Sequence, residues 1–394
     1  MSLRMHAPHA SVVYPKVTSV RQFVTELAVH LKEGAHPVAE VTVAFSAPFR
    51  ADMQGWLMAT GRLIPEGAPV HLVYGSGPHQ RADFFGYVHS FNIASSGEDT
   101  KFTANTEVTV TYTLTGATSF LQTQRSRTWI AASPSHMART ICRDHQLAPM
   151  VQHSPTRLPA RSQHSQSNFV FLRELADECG LRLVVDGTHV YVTDPLVSLR
   201  QGHEVPAFFL TKLPGIRDTI YDFRMTGGEL DPVGGLRTRS EAYGYNPATR
   251  RISRVVDRST VQARTTSYAT RRPSASQTSA ARRAVSQAAN SQLWVEASAR
   301  VRGDARVRPG TEVWLQGAGL GPRTVGQWMT REATHRLVLH LTDPRKSVFE
   351  TLLVVGRNRL DGLDSVARST VLPPPRGTAL VQGAWRAAPA GAAR

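Results

Sequence analysis

The chain has 394 residues, 41% of them hydrophobic, which allows about two to four folded units at the usual ~100–200 residues per domain. Its 46 lysines and arginines outnumber its 30 aspartates and glutamates, a net charge of +16. Such a surface attracts phosphate, nucleic acid or an acidic protein, unless the arginine excess only reflects a GC-rich genome. The sequence lacks a disulfide framework, an N-terminal secretory signal and an apolar run long enough to cross a bilayer. We therefore expect synthesis in a cytoplasm and no stable membrane insertion.

The first predicted elements are a helix and a group of strands. Ser19 with Gln22 forms a capping box, and apolar side chains recur at helical spacing in residues 19–33, so we predict an amphipathic helix there. Its apolar face consists of Val20, Phe23, Val24, Leu27, Ala28 and Leu31. From Val38 the apolar period changes to two, and residues 38–45, 70–75, 82–93 and 101–115 are predicted strands. Short strands separated by turns favour a β-barrel that closes near Ala117.

A second helix and a polar linker are predicted next. Ser133 followed by Pro134 is typical of a helix start, and Met137, Ile141 and Cys142 give that helix an apolar side as far as about residue 145. Residues 152–166 contain two prolines and almost no aliphatic side chains, which predicts a linker.

Residues 166–194 predict a compact α+β unit. The apolar residues Phe169, Leu172, Leu175, Ala176 and Cys179 share one face of a helix. Ser167 or Asn168 can cap its first turn, and Gly180 can end it. Asp186 and Gly187 suit the hairpin turn between two strands at residues 181–185 and 188–192. The cysteines on apolar helix faces, Cys142 and Cys179, are expected to be buried.

The second half of the sequence combines strands with an arginine-rich segment. Residues 206–235 are strand-like, and residues 237–308 contain 15 arginines against four acidic residues, a local balance of +11. Within that segment residues 274–294 predict a helix of small residues. Further strands are predicted at residues 295–301, 312–315, 324–332, 334–337 and 349–355. Residues 357–394, rich in proline and alanine, predict an extended tail.

Motifs for catalysis, metals and cofactors are absent from the sequence. It contains no G-x-S-x-G, no H-E-x-x-H and no C-x-x-C, and neither His335 with His340 nor His136 with His145 has a recognised ligand spacing. The glycine-rich residues 317–321 lack the lysine and helix of a phosphate loop and are predicted to be a hairpin tip. We therefore predict no catalytic, cofactor-binding or metal-binding residue.

Several motifs occur in the order found in one known family. They are the helix and hairpin of residues 165–192 with Phe171-Leu172, then Phe85-Gly86-Tyr87-Val88, Arg308-Pro309-Gly310, Val313-Trp314-Leu315, Gly326-Gln327-Trp328, and a turn at His335. In these motifs the sequence, up to about residue 356, resembles the late control protein D family. That family comprises baseplate hub proteins of phage tails, and it is also similar to the N-terminal half of type VI secretion spike proteins.

The resemblance implies an α+β, mainly β fold with two similar β-barrels. The implied domains are residues 1–118, a first barrel with the N-terminal helix; 119–200, an inserted α+β module; 201–356, a second barrel with the arginine-rich segment; and 357–394, the tail. The implied role is structural rather than enzymatic: a trimeric ring that adapts a hexameric tail tube to a trimeric central spike.

The implied partners are two further copies of the chain, the tube protein, the central spike and other baseplate or tape-measure components. DNA would pass through the central channel. The implied location is the tail baseplate of a virion, after assembly in the host cytoplasm.

Two alternatives from other classes remain. A tail-tip peptidoglycan hydrolase would need acid and base groups that can be distant in sequence. A basic nucleic-acid-binding protein would use the arginines of residues 237–308 together with the interleaved Tyr243, Tyr245 and Tyr268.

Overall fold

The structure is a computed structural model of the chain. It describes residues 8–13, 23–47, 52–76, 80–95, 106–153, 158–179, 181–195, 197–199, 205–210, 218–225, 241–246, 251–256, 295–317, 319–320, 324–340, 343, 346–357, 378–381 and 384–387. Within these ranges the fold is α+β and mainly β, as predicted.

The first half of the fold consists of six antiparallel strands around one core. Its elements are β1 (Pro8–Val13), β2 (Phe23–Lys32), β3 (Val38–Ala47), α1 (Met53–Ala59), β4 (Pro69–Ser76), β5 (Arg81–Ser95) and β6 (Thr106–Gly116). The strands are hydrogen-bonded in the order β1-β4-β5-β6-β3-β2. Alternate side chains of β2 to β6 point inward to a shared hydrophobic core, which fits the period of two in the sequence.

The predicted helix at residues 19–33 is wrong, because residues 23–32 form strand β2. The cause is a β-bulge: the register of β2 against β3 shifts between Val24 and Glu26. A bulge inserts one extra residue, so Val24 and Leu27, three apart, both face the core, as they would on a helix. Beyond the bulge the strand period is plain, since Leu27, Val29 and Leu31 are buried while His30 and Lys32 are exposed.

An α+β module follows the first half. Its elements are a 3-10 helix (Ala117–Gln122), β7 (Gln124–Ala132), α2 (Pro134–Asp144), β8 (Ala148–Val151), β9 (Leu158–Ser167), α3 (Asn168–Cys179), β10 (Arg182–Asp186) and β11 (His189–Thr193). Both helices are as predicted, and the hairpin is present one residue later than predicted, since Asp186 pairs with His189 and the turn is Gly187-Thr188. The Ser133 side chain accepts a hydrogen bond from the His136 amide, Ser167 Oγ accepts one from the Val170 amide, and Gly187 in the hairpin turn has φ of 59°.

Two details of the module differ from prediction. Residues 158–166 of the predicted linker belong to strand β9, which pairs antiparallel with β7, because main-chain pairing does not require aliphatic side chains. Cys142 is fully buried, whereas Cys179 at the end of α3 is only half-buried.

Among its described residues, the second half again has six core strands, together with one separate hairpin. Its elements are β12 (Ala207–Phe209), β13 (Ile220–Met225), the hairpin β14 (Glu241–Asn246) and β15 (Arg251–Val256), then β16 (Val295–Arg302), β17 (Glu312–Gln316), β18 (Gly326–Val338) and β19 (Val348–Arg357). The core strands surround a second hydrophobic core that contains Trp328 and Leu353. The predicted turn at His335 is wrong, because β18 continues through this residue as one strand.

Both halves have the same strand order. Numbered along the chain, the six strands are β1 to β6 in the first half and β12, β13, β16, β17, β18 and β19 in the second. In each half the hydrogen-bonded order is first, fourth, fifth, sixth, third, second. The one difference in direction is the pair of first and fourth strands, antiparallel in the first half and parallel in the second. The predicted pair of similar β units is therefore present.

Neither half is closed by strand pairing within the described residues. In the second half the strands at the two ends of the hydrogen-bonded order, β12 and β13, come close to each other. The amide of Thr219, next to β13, donates a 2.9 Å hydrogen bond to the carbonyl of Phe209 in β12. The halves join into one twelve-stranded sheet by pairing of β2 with β18.

Some sequence predictions lie outside the described residues. They include Gly180, the helix at residues 274–294, the interleaved tyrosine Tyr268 and most of the arginine-rich segment. In the predicted tail a short hairpin is described, β20 (Thr378–Val381) with β21 (Ala384–Ala387). The domain boundaries remain predictions.

Candidate assembly interface

The strand pairing of β2 with β18 is the seam between the two halves. It is antiparallel and runs from Lys32 opposite Glu332 to Glu26 opposite Val338. Its inward-facing side chains are almost completely buried: Leu27, Val29, Ala333, His335 and Leu337 are each at most 1% exposed. On the outer side Lys32 and Glu332 form a 2.6 Å ion pair. The seam therefore joins the halves through continuous main-chain pairing and a common apolar core.

The same residue register recurs in both halves, down to the bulges. The second strand has a bulge between Val24 and Glu26 in the first half and between Ile220 and Asp222 in the second. In the fifth strand the corresponding shifts lie between Val88 and Ser90 and between Thr330 and Glu332. Apart from the pair of first and fourth strands, the remaining pairings agree with this alignment.

For example, Tyr87 lies opposite Thr115 in the first half, and Met329 lies opposite Gly356 at the equivalent position of the second half. The third strands, β3 and β16, align equally well. Ala39 is equivalent to Ala297 and Val43 is equivalent to Val301, and all four are core residues. The duplication therefore extends from topology to individual residue positions.

His335 lies at the centre of the seam and is completely buried. Its Nε2 lies 2.9 Å from the Val307 carbonyl oxygen, which can only accept, so Nε2 carries the proton. Its Nδ1 lies 3.0 Å from the Thr351 hydroxyl and accepts from it. Burial lowers the pKa of His335 to about 4. The neutral imidazole therefore connects strand β18 to the loop that carries Arg308.

Arg308 lies where the two halves and the module meet. Its guanidinium forms an ion pair with Asp186 of the module hairpin and donates a 3.1 Å hydrogen bond to the Asp83 carbonyl of β5. The Asp83 carboxylate in turn lies 2.7 Å from Nε2 of His71, and this hydrogen bond holds the pKa of Asp83 below its usual range. One arginine of the second half thus contacts both other parts of the fold.

Gly310, two residues after Arg308, makes a second set of connections. Its φ of 82° lies in the left-handed region, and an added Cβ would come within 2.6 Å of the Leu199 side chain. Its amide donates to Thr330, and its carbonyl accepts from the Leu199 amide, both at 2.8 Å. The buried Arg182 of β10 also donates to this carbonyl, at 3.4 Å. The Arg308-Pro309-Gly310 motif is therefore a structural junction.

A cavity of about 490 Å³ lies beside the seam, between β2, β18 and the module. The cations that line it are Lys32, Arg173, Arg182 and Arg331, and the carboxylates are Glu33, Asp177 and Glu332. Burial lowers the pKa of Arg182 and raises that of Asp177. The two signs of charge nearly balance, so the lining does not select one class of charged ligand.

The described part of the chain also bears on metal binding, membrane spanning and thiol reactivity. No three histidine, cysteine, aspartate or glutamate side chains there are placed to hold a metal ion. None of the described helices is long and apolar enough to span a bilayer. Burial raises the pKa of the Cys142 thiol to about 12, which keeps it protonated at neutral pH.

The sequence motifs occupy several different places in this arrangement. Phe171 and Leu172 belong to the module core, Arg308 and Gly310 form the junction, Trp328 is in the second core, and His335 is in the seam. Sequence reasoning missed strand β2 as the seam strand. The available signal was the alternation of Leu27, Val29 and Leu31, which the preceding bulge obscured.

Known structures share this fold. The tail protein from Neisseria meningitidis MC58 superposes with a TM-score of 0.62 over 90% of this chain and 98% of its own, at 10% identity. The 43 kDa tail protein of prophage MuSo2 from Shewanella oneidensis gives 0.58 over 91% and 100%, at 12% identity. The fold is that of phage tail proteins.

The tail-protein fold also extends to secretion machines. An E. coli component of the type VI secretion system, described as structurally similar to T4 bacteriophage tail proteins, matches with a TM-score of 0.52 over 93% of this chain and 82% of its own, at 11% identity. No protein-family model matches the sequence, and neither does any curated protein. The resemblance predicted from the motifs is thus confirmed at the level of the fold.

Proposed function

We propose that the protein is a structural baseplate hub of a phage tail or a related contractile injection system. In this role three copies form a ring that adapts a hexameric tail tube to a trimeric central spike. The observation that carries the proposal is the internal duplication: two halves with one topology and one register lie in a single chain. Three such chains present six similar units to the tube while keeping threefold symmetry toward the spike.

The junction between the parts supports a mechanical role. The strand pairing of β2 with β18, the hydrogen bond of Arg308 to the Asp83 carbonyl and the ion pair of Arg308 with Asp186 fix the halves and the module to each other. A rigid protomer suits a part that holds its partners in position. The phage-tail fold supports the same role. The partners in this proposal are the tube, the spike and further baseplate or tape-measure components, with DNA passing through the ring and the virion tail as the final location.

The mass of the full-length protein in solution tests this function. Native mass spectrometry should give three times the 43.2 kDa of a single chain, and electron microscopy should show a ring of six similar lobes with threefold symmetry. A protein that stays monomeric at every concentration and clears suspensions of bacterial cell wall would contradict the proposal and favour the hydrolase alternative.

A further inference from the structure

We propose that strand β13 of one copy pairs antiparallel with residues 90–95 of β5 in the next copy, in the register of the seam inside each chain. The proposal rests on the proposed function, because it supplies the contact between neighbouring copies. It commits to one partner, a second copy of this chain. The duplicated register is what assigns this partner.

The two edges in question are the counterparts of the two seam strands. Strand β13 aligns with β2, since the bulge at Ile220 and Asp222 matches the bulge at Val24 and Glu26. Residues 90–95 of β5 align with residues 332–337 of β18. In the seam the second strand of one half pairs with the fifth strand of the other. One contact of this kind is therefore made inside the chain, between β2 and β18. Its counterpart, between β13 and β5, is not made within the described residues of one chain.

Both leftover strands have a free edge within the described residues. Strand β13 pairs with β16 on one side, and no described strand pairs with its other side. Strand β5 pairs with β4 only as far as Tyr87, so its residues 90–95 pair with β6 alone. Neither residues 90–95 nor 220–225 contain a lysine or a proline, which commonly protect edge strands from pairing with another chain.

Burial differs between the filled seam and its counterpart. Met225 is 38% exposed, whereas Val29 at the equivalent position is 0% exposed. Phe91, Ile93 and Phe223 pack only partly against their cores, and their seam equivalents Ala333, His335 and Leu27 are at most 1% exposed. Pairing of β13 with β5 would cover these apolar groups in the way that the seam does.

The register follows residue by residue. In the seam Val29 lies opposite His335, and Ala28 lies opposite Arg336. The equivalent contact between copies places Met225 opposite Ile93, and Arg224 opposite Ala94. Each outward-facing pair therefore combines an alanine with an arginine, and the long side chain extends over the small one. The contact is head-to-tail, so each copy uses β13 toward one neighbour and β5 toward the other, and rotation can close the ring.

Disulfide cross-linking of the full chain tests the register. The double variant Ala94→Cys with Arg224→Cys has cysteines at two positions that the proposed register places directly opposite each other in neighbouring copies. Directly opposed residues on paired strands are close enough to form a disulfide. Mild oxidation should link copies into covalent dimers and closed trimers on a non-reducing gel. The matched control is Ala28→Cys with Arg336→Cys, which should lose free thiols without any increase in mass. The parent chain, with Cys142 and Cys179 only, sets the background.

Three further results separate the register from the alternatives. Each single variant, Ala94→Cys or Arg224→Cys, should stay at background, since a single variant links copies only through a symmetric contact. Ala94→Cys with Asp222→Cys, two residues out of register, should link at least several-fold less. A stable trimer in which the Ala28/Arg336 pair oxidises but the Ala94/Arg224 pair does not would overturn this inference and leave the proposed function standing. A persistent monomer would instead overturn the function itself.

Discussion

At the scale of single residues, the centre of the fold depends on polar groups whose partners are far away in sequence. His335 bonds to Val307 and Thr351, and Arg308 contacts Asp83 and Asp186. Breaking an ion pair that is largely removed from water leaves one charge without a partner, so the contacts of Arg308 favour one relative placement of the halves and the module. The arginine and the glycine of the Arg308-Pro309-Gly310 motif could be singled out from the sequence. Their partners could not be identified, because nothing local in the sequence marks Asp186 as the partner of Arg308 or Leu199 as the partner of Gly310.

Because the imidazole of His335 is buried, the fold should become less stable at acidic pH. The pKa of His335 in the fold is about 4, below the usual 6.5, so the unfolded chain takes up the proton more readily. The contribution of the neutral His335 to the free energy of unfolding is complete above pH 6.5. It falls as the pH drops from 6.5 toward 4, by about 3 kcal/mol in total. Burial also lowers the pKa of His36 to about 4, which adds in the same direction.

Urea unfolding at several pH values between 7.5 and 4.5 measures this effect. His335→Gln keeps a donor for the Val307 carbonyl and removes the titrating ring, so it should lower stability at pH 7.5 but flatten the fall toward acid. His340→Gln, at an exposed histidine, is the matched control and should reproduce the parent profile. Equal acid slopes in the parent and in His335→Gln would disprove the assignment.

At the scale of elements, local signals were sufficient for helices and hairpins but not for the seam. Ser133-Pro134 located α2, and Asp186-Gly187 located the turn of β10 and β11 to within one residue. Strand β2 was mistaken for a helix because its bulge places Val24 and Leu27 on one side at helical spacing. Its pairing with β18 joins residues about 300 positions apart in the chain, and sequence periodicity holds no information on such partners.

Substitutions in β2 discriminate between the strand and the helix. In the strand Val29 is fully buried, so Val29→Ala should cost roughly 2 kcal/mol of unfolding free energy. Ala28 faces outward, and Ala28→Ser should cost less than about 0.5 kcal/mol. On the predicted helix Ala28 belonged to the apolar face and Val29 did not, so the order of the two effects would be reversed. Denaturant titration of both variants at neutral pH decides the matter.

At the scale of the whole molecule, the duplication was predicted only as a pair of similar barrels. Residues at some equivalent positions differ in chemistry: His71 aligns with Trp314, and Ile93 aligns with His335. The backbone register is shared by the halves even where the side chains differ, so the alignment emerges from hydrogen-bond pairing rather than from the sequence. The family resemblance supplied the expectation, and the matched bulges supply the physical basis.

A charge on the free edge should separate assembly from folding. Met225→Asp places a carboxylate where the neighbouring copy would bury an apolar group, which should shift the protein from trimer to monomer. Because Met225 is exposed in the single chain, the unfolding free energy of the monomer should change by less than about 1 kcal/mol. Sedimentation velocity together with urea titration measures both quantities.

The matched variant Val29→Asp lies at the equivalent position of the filled seam and should prevent folding altogether. A Met225→Asp protein that remains fully trimeric would show that β13 is not in the contact between copies.

The covalent link between the halves has a consequence for concentration. The proposed ring contains six contacts between neighbouring halves. Three of them form inside single chains, between β2 and β18, and only three must form between separate chains. The yield of rings therefore rises with the third power of the free chain concentration, whereas six unlinked half-chains would require the sixth power. Chains at low concentration can thus still assemble into the proposed ring, since the covalent link between the halves replaces three of the six encounters.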